Sequence, residues 1–266
     1  MRRAKGVWQR PVPAWEPCEP TAHELAAAEK EATGQSEFDT LALKSQVWKA
    51  YKEEKARLVC RKLGGLARIL AFLPEGVEEP PWEFWSRIFL WFGASKDGKP
   101  WIVTWFAAMT PRMFPLVGTE LGPEHVNGGY TTVCSTAGIF IYRKEEATRV
   151  LIHEMMHAAC LDETGPGWDI PHREGMVEMW AELILIALKS QGNALNARRL
   201  WVKQSHWVAD TNWKSKVENG QNDATDYAWR YLACREQMYA MHGITLPAPR
   251  KTNIQSLRFT HPALET

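Results

Sequence analysis

An excess of charge is what this chain most plainly lacks: its 266 residues carry 32 Lys plus Arg against 31 Asp plus Glu, a formal charge of +1. Such a balance gives no general electrostatic reason to expect nucleic acid or an anionic membrane as a partner. Long apolar runs are missing too, and none approaches the roughly eighteen residues that a membrane helix requires. The opening MRRAKGVWQRPVPAW has no apolar stretch of the secretory type, and the acidic Glu16 and Glu19 that follow do not suit a transit peptide. Cysteine is sparse: Cys18, Cys60, Cys134, Cys160 and Cys234 are scattered, odd in number and never in a CxxC pair. That usage suits a reducing compartment better than a disulfide scaffold. Internal repeats and low-complexity tracts are absent as well. The expectation is a soluble, intracellular, cytoplasmic protein with one main domain and additions.

Tryptophan, by contrast, is abundant, with 14 residues, many of them between Trp82 and Phe106 in WEFW, WFG and KPWIVTWF. Rings that bury so much area are read first as core, and a surface that grips peptide or glycan is the other reading. Residues 1–20, with four prolines, read as an extended arm. Residues 21–79 read as a helical region: Thr21 caps HELAAAEKEA, and a second helix runs from about 38 to 62, ahead of Gly64 and Gly65. Lys52, Lys55, Arg57, Arg61 and Lys62 are taken as a solvated helix face rather than a nucleic-acid contact.

From 80 to 246 the texture changes. RIFLWFG and PWIVTWFAAM are β-rich apolar runs around the turn sequence SKDGK, the first with a buried helix as its alternative. AGIFIY (137–142) is a strand, and from Arg143 a helix follows with Glu145 and Glu146 in its first turn. Past ETGPGWD, a helix of about 171–190 has Asp169 as N-cap, and helices of about 194–209 and 224–242 precede a polar tail, 247–266. The fold class expected is α+β, with a small mixed or antiparallel sheet packed on the 143–162 helix and further helices at both ends.

That central helix contains His153-Glu154-Met155-Met156-His157, an HExxH motif. Residues four apart lie about 40° apart around a helix, so both imidazoles project from one face and can share a Zn2+ ion, with Glu154 beside them as general base. The intervening and flanking positions, from Val150 to Ala159, are apolar, as a helix at the heart of a domain needs. A buried Glu between two histidines without a metal would carry a desolvation cost. Zinc needs a third protein ligand. Cys160 and Glu163 stand where an HExxHxxGxxH pattern needs Gly and His, and Cys160 is read as a small buried hydrophobe. On the next helix Glu174, Glu178 and Glu182 are spaced by four along one face.

VLIHEMMHAAC followed by EGMVEMWAEL resembles the zincin metallopeptidases over residues 137–189, and within them the gluzincins, in which a downstream helix supplies a glutamate ligand as ExxA[DE] or EGxA. The resemblance implies a zincin-like catalytic domain that hydrolyses peptide or protein substrates. Glu178, with Ala181 and Glu182 in the ExxA[DE] positions, is the preferred third ligand, and Glu182 is then expected to accept a hydrogen bond from a ligand imidazole. Glu174 is the alternative, although Val177 replaces the usual alanine of EGxA. A second resemblance, to the SprT-like proteases that act on DNA-bound proteins, would make His172 the third ligand, although Arg173 stands in place of the usual glycine. A non-catalytic zincin-fold protein is the third reading. The 137–142 strand is expected to be the edge that aligns substrate, and His206, Tyr227, Tyr231 and His242 are available to stabilise an oxyanion.

Overall fold

The computed structural model describes residues 1–136, 138–162, 169–220, 223 and 225–265. Its sheet consists of β1 (Trp15–Pro17), β2 (Ala56–Leu63), β3 (Ala67–Pro74), β4 (Trp101–Phe106), β5 (Gly129–Thr131) and β6 (Ile139–Ile141), ordered β1-β2-β3-β4-β6-β5. β3, β4 and β6 run parallel, and the pairings β1–β2, β2–β3 and β5–β6 are antiparallel, so the sheet is mixed and open. The helices are α1 (Arg2–Gln9), α2 (Ala22–Thr33), α3 (Leu43–Lys52), α4 (Trp82–Phe92), α5 (Pro123–Val126), α6 (Ala147–Ala158), α7 (Ile170–Lys189), α8 (Ala194–Asn219) and α9 (Ala233–Met241). The fold is α+β, and none of the described helices is long and apolar enough to cross a membrane.

Alternation along the strands decides which helices cover which face. On β3, Leu70 and Phe72 pack with Val47 and Trp48 of α3, whereas Ile69, Ala71 and Leu73 join Val103, Trp105, Ile139 and Ile141 against α4, α6 and α7. Because both faces are covered, the interior strands read as continuous apolar runs. Trp85, Trp101 and Trp105 are buried in this core, where Trp85 donates its indole N–H to Thr148 Oγ1 (2.9 Å) and Trp105 to the Arg143 carbonyl (2.9 Å).

RIFLWFG, read first as a β-rich run, belongs to helix α4, its alternative reading, and three further expectations differ from the structure. Residues 2–9 of the expected arm form a helix whose Trp8 donates to the Leu188 carbonyl at 2.7 Å. The region 21–79 is not helical throughout, since α3 stops at Lys52 and 56–74 is a β-hairpin within the main sheet, so no boundary falls at 79. The glycines taken as a helix end make the hairpin turn instead, with Gly64 at φ +50°. The basic run lies mostly on β2, where Arg57 and Arg61 pair with Glu79 and Lys62 with Glu16. The third difference is the tail, whose Leu257, Phe259 and Leu264 are buried, while a bridge joins Ser256 to Met113.

Candidate metal centre

Every residue of α6 from Ala147 to Ala158 is buried, so its polar side chains must find partners inside the protein. α7 crosses beside it, started by Asp169, whose side chain accepts from the His172 N–H. Between the two helices three groups converge. His153 Nε2 lies 3.1 Å from His157 Nε2, and Glu174 Oε2 lies 3.5 Å from the first and 3.7 Å from the second. Ligands about 2.1 Å from a tetrahedral ion are separated by roughly 3.4 Å, so these spacings suit a shared cation. These are the residues that could hold a metal among those described, with ligand atoms all within 4.8 Å of one another.

Glu178 is therefore not the carboxylate that closes on both histidines. Its Oε1 lies 3.0 Å from Nδ1 of His153, the ring nitrogen opposite the convergence point, and its other oxygen pairs with Arg149. Four residues along a helix is one turn, about 6 Å of rise, and that step separates the group facing Nε2 from the group facing Nδ1. Glu182, two turns beyond Glu174, reaches no ligand imidazole. It is fully buried, paired with Arg235 and accepting from the Tyr239 hydroxyl at 2.6 Å. His172 lies two residues before Glu174, about 200° around the helix. Its ring is half-exposed, with Nδ1 2.6 Å from Asp169 Oδ1 and Trp229 alongside.

Two partners escaped the sequence reading. Asp162 is buried and places Oδ2 2.8 Å from Nδ1 of His157, on the side of that ring away from the convergence point, as Glu178 lies beside Nδ1 of His153. Arg149 precedes His153 by one turn, and an arginine inside an otherwise buried helix was the available signal. Cys160 was also misread. It forms a disulfide with Cys134, tying the segment after β5 to the end of α6, where the Cys134 N–H also donates to the His157 carbonyl at 2.9 Å. The pairing is between residues 26 apart, which no spacing rule singles out.

Burial sets the protonation of this cluster. It pushes the His153 imidazole down to about 4 and the Glu154 carboxyl up to about 8. Burial acts against the charged form of His157 as well, but Asp162 and Glu174 outweigh it and raise that imidazole to about 10. Glu174 is held well below the ordinary carboxylate range, the two imidazoles beside it overcoming its burial. Glu154 is 5% exposed, and among the described residues no hydrogen bond or ion pair engages its carboxylate. It faces a cavity of about 30 Å3, lined also by Gly129, Arg149, His153, Glu178 and Tyr231, with room for one water.

β5 forms the roof over Glu154. A Cβ on Gly129 would meet Val150 Cγ1 at 2.6 Å, the Phe140 carbonyl at 2.8 Å and Glu154 Cγ at 3.4 Å, so glycine lets the strand lie directly on α6. The expected edge strand, 137–142, is instead interior, since β6 is paired with β4 on one side and β5 on the other. The edge at this end is β5. Of the four candidate oxyanion donors, Tyr231 is the one lining the small cavity; Tyr227 contacts Asn127 at 2.8 Å and His242 the Met238 carbonyl at 2.9 Å. Comparison with protein-family models, with curated proteins and with solved structures finds no match to this chain.

Proposed function

We propose that the chain is a zinc-dependent metallopeptidase acting on peptide or protein substrates, with its metal held by His153, His157 and Glu174. The observation that carries this reading is the convergence of three ligand atoms from an HExxH helix and its neighbour, beside a buried glutamate that no hydrogen bond or ion pair engages among the described residues. Two imidazoles and a carboxylate are ordinary zinc ligands and leave a fourth position open. When bound, zinc supplies Lewis acidity, lowering the pKa of water and polarising a carbonyl oxygen.

The chain's own groups do the rest. Glu178 and Asp162, at the Nδ1 atoms of His153 and His157, keep each Nε2 turned inward. Glu154 takes the proton of the attacking water and passes it to the leaving amine. A cation next to Glu154 opposes the effect of burial and favours the carboxylate it needs to be. The β5 edge offers main-chain groups to an extended peptide, and Tyr231 a hydroxyl to developing oxyanion charge. The half-exposed position of His172 offers nothing to the SprT-like alternative, and a purely structural metal site has no use for Glu154.

Protein produced in zinc-replete medium should contain close to one zinc per chain by elemental analysis and should cleave a peptide library, with or without DNA. Glu154→Gln should keep the zinc and lose about 10²–10⁴-fold in hydrolysis. Absence of any transition metal sinks the metal centre. Bound zinc with a Glu154→Gln variant as active as the parent sinks the mechanism alone.

A further inference from the structure

At the far edge of the sheet, opposite the metal centre, a second pair of thiols faces each other across two strands. β1 pairs with β2 in the register Trp15↔Leu63, Glu16↔Lys62 and Pro17↔Arg61, and one residue further along that register Cys18 faces Cys60. The Cys18 N–H donates to the Cys60 carbonyl at 3.1 Å, one of the two bonds that directly opposed residues at a hydrogen-bonded position of an antiparallel ladder exchange. In such pairs the Cα atoms are about 5.5 Å apart, inside the range that a disulfide spans, so the backbone need not move to bridge them. The two Sγ atoms already lie 3.1 Å apart. Cys60 is buried in the cluster of Trp48, Leu70 and Phe72, whereas Cys18 is half-buried and reachable from solvent. The remaining thiol, Cys234, is fully buried in a separate cluster against Gly175.

We propose that Cys18 and Cys60 are a second oxidation site, forming a cross-strand disulfide when the protein meets a disulfide-bearing oxidant. The Cys18 thiolate attacks a disulfide RSSR, forming Cys18–S–SR and releasing RS⁻. The Cys60 thiolate then attacks Cys18 Sγ, breaking the mixed disulfide and releasing the second RS⁻. The balance is two cysteine thiols plus RSSR giving one protein disulfide plus two RSH; the protein loses two electrons and two protons, and RSSR gains them. Burial raises the Cys60 thiol, so closure quickens as pH rises. The bridge staples the N-terminal segment to the sheet at its open edge, where β1 is only three residues long. This inference is independent of the metal centre.

The test is peptide mapping of the full chain after incubation with oxidised glutathione at pH 8, acid quench, denaturation and alkylation. The expected result is a Cys18–Cys60 linked peptide with one alkyl group per chain, on Cys234. Alkyl groups on both Cys18 and Cys60, or glutathione retained on Cys18, would overturn the proposal. A Cys134→Ser/Cys160→Ser/Cys234→Ser variant removes exchange with the other cysteines. It should take up no alkyl group after oxidation and two after reduction by a dithiol, and two in both states would count against the bridge. Should that variant fail to fold, the map of the parent protein decides.

Discussion

His153 is gripped from both sides of its ring by glutamates one helical turn apart: Glu174 lies 3.5 Å from Nε2 and Glu178 3.0 Å from Nδ1. The same residue type thus takes two different tasks, and substitutions should separate them. Glu174→Ala removes the proposed charged ligand and should abolish stoichiometric zinc binding. Glu178→Ala leaves the ligand set intact and should cost roughly 10–100-fold in zinc affinity, as loss of a group orienting a ligand histidine does. His172→Ala should leave affinity unchanged. Competition titration against a chromophoric chelator measures all three, and a Glu178→Ala loss exceeding that of Glu174→Ala would reverse the assignment.

Within the elements, the start of α6 shows how an ionised group organises a fold. Glu146 caps the helix at φ +59° and is buried. Its carboxylate lies 3.2 Å from Arg112 Nη1 and accepts from the backbone N–H groups of Phe259 at 3.0 Å and Thr260 at 2.7 Å. Burial alone would raise its pKa, but the charges of Arg112, Arg149 and Arg258 and the Thr260 hydroxyl overcome it and hold Glu146 below the ordinary carboxylate range. The carboxyl of the neighbouring Glu145 is raised, by burial first and also by the charge of Glu146. Because the folded pKa of Glu146 is depressed, its stabilisation is fully present above the unfolded value and is lost as pH falls through the folded one. Glu146→Gln should therefore cost about 3–5 kcal/mol at neutral pH. The gap from the parent protein should narrow in acid, below roughly pH 4. Urea titrations across that window provide the check; a gap equally large at pH 7 and pH 3 would show that Glu146 is not ionised in the fold.

At the scale of the whole molecule, the C-terminal segment closes the structure it had been expected merely to trail from. Phe259 is 1% exposed, with the guanidinium carbons of Arg149, Arg235 and Arg112 at 4.5, 5.4 and 5.6 Å from its ring centroid. It packs between the start of α6 and α9. Through Arg149 and Glu178 this buried charge system continues to His153, and through Arg235 to Glu182 and Tyr239. Phe259→Ala should lower stability by about 3–5 kcal/mol. A chain ending at Leu246, where the sequence suggested a boundary, should lose cooperative melting by circular dichroism. Retention of the parent melting temperature to within about 2 °C would show the segment to be dispensable.

The sequence alone determined what depends on neighbours along the chain. Helical periodicity placed His153 and His157 on one face of one helix, Asp169 marked the start of α7, and Thr21 that of α2, where the capping box forms. The abundance of tryptophan correctly suggested core, because burying such rings is favourable in almost any fold. Tertiary structure decided whatever depends on how elements cross. Three glutamates at equal spacing are equivalent along α7 until α6 lies against it, and only that crossing separates the group at the proposed metal site from the one behind His153 and the one paired with Arg235. The lysine- and arginine-rich stretch after Lys52 fits a helix surface as well as a strand, and only pairing with β3 made it β2. Partners far apart in the chain, Cys134 with Cys160 and Glu146 with Thr260, leave no periodic trace, because the contacts that select them exist only once the chain has folded.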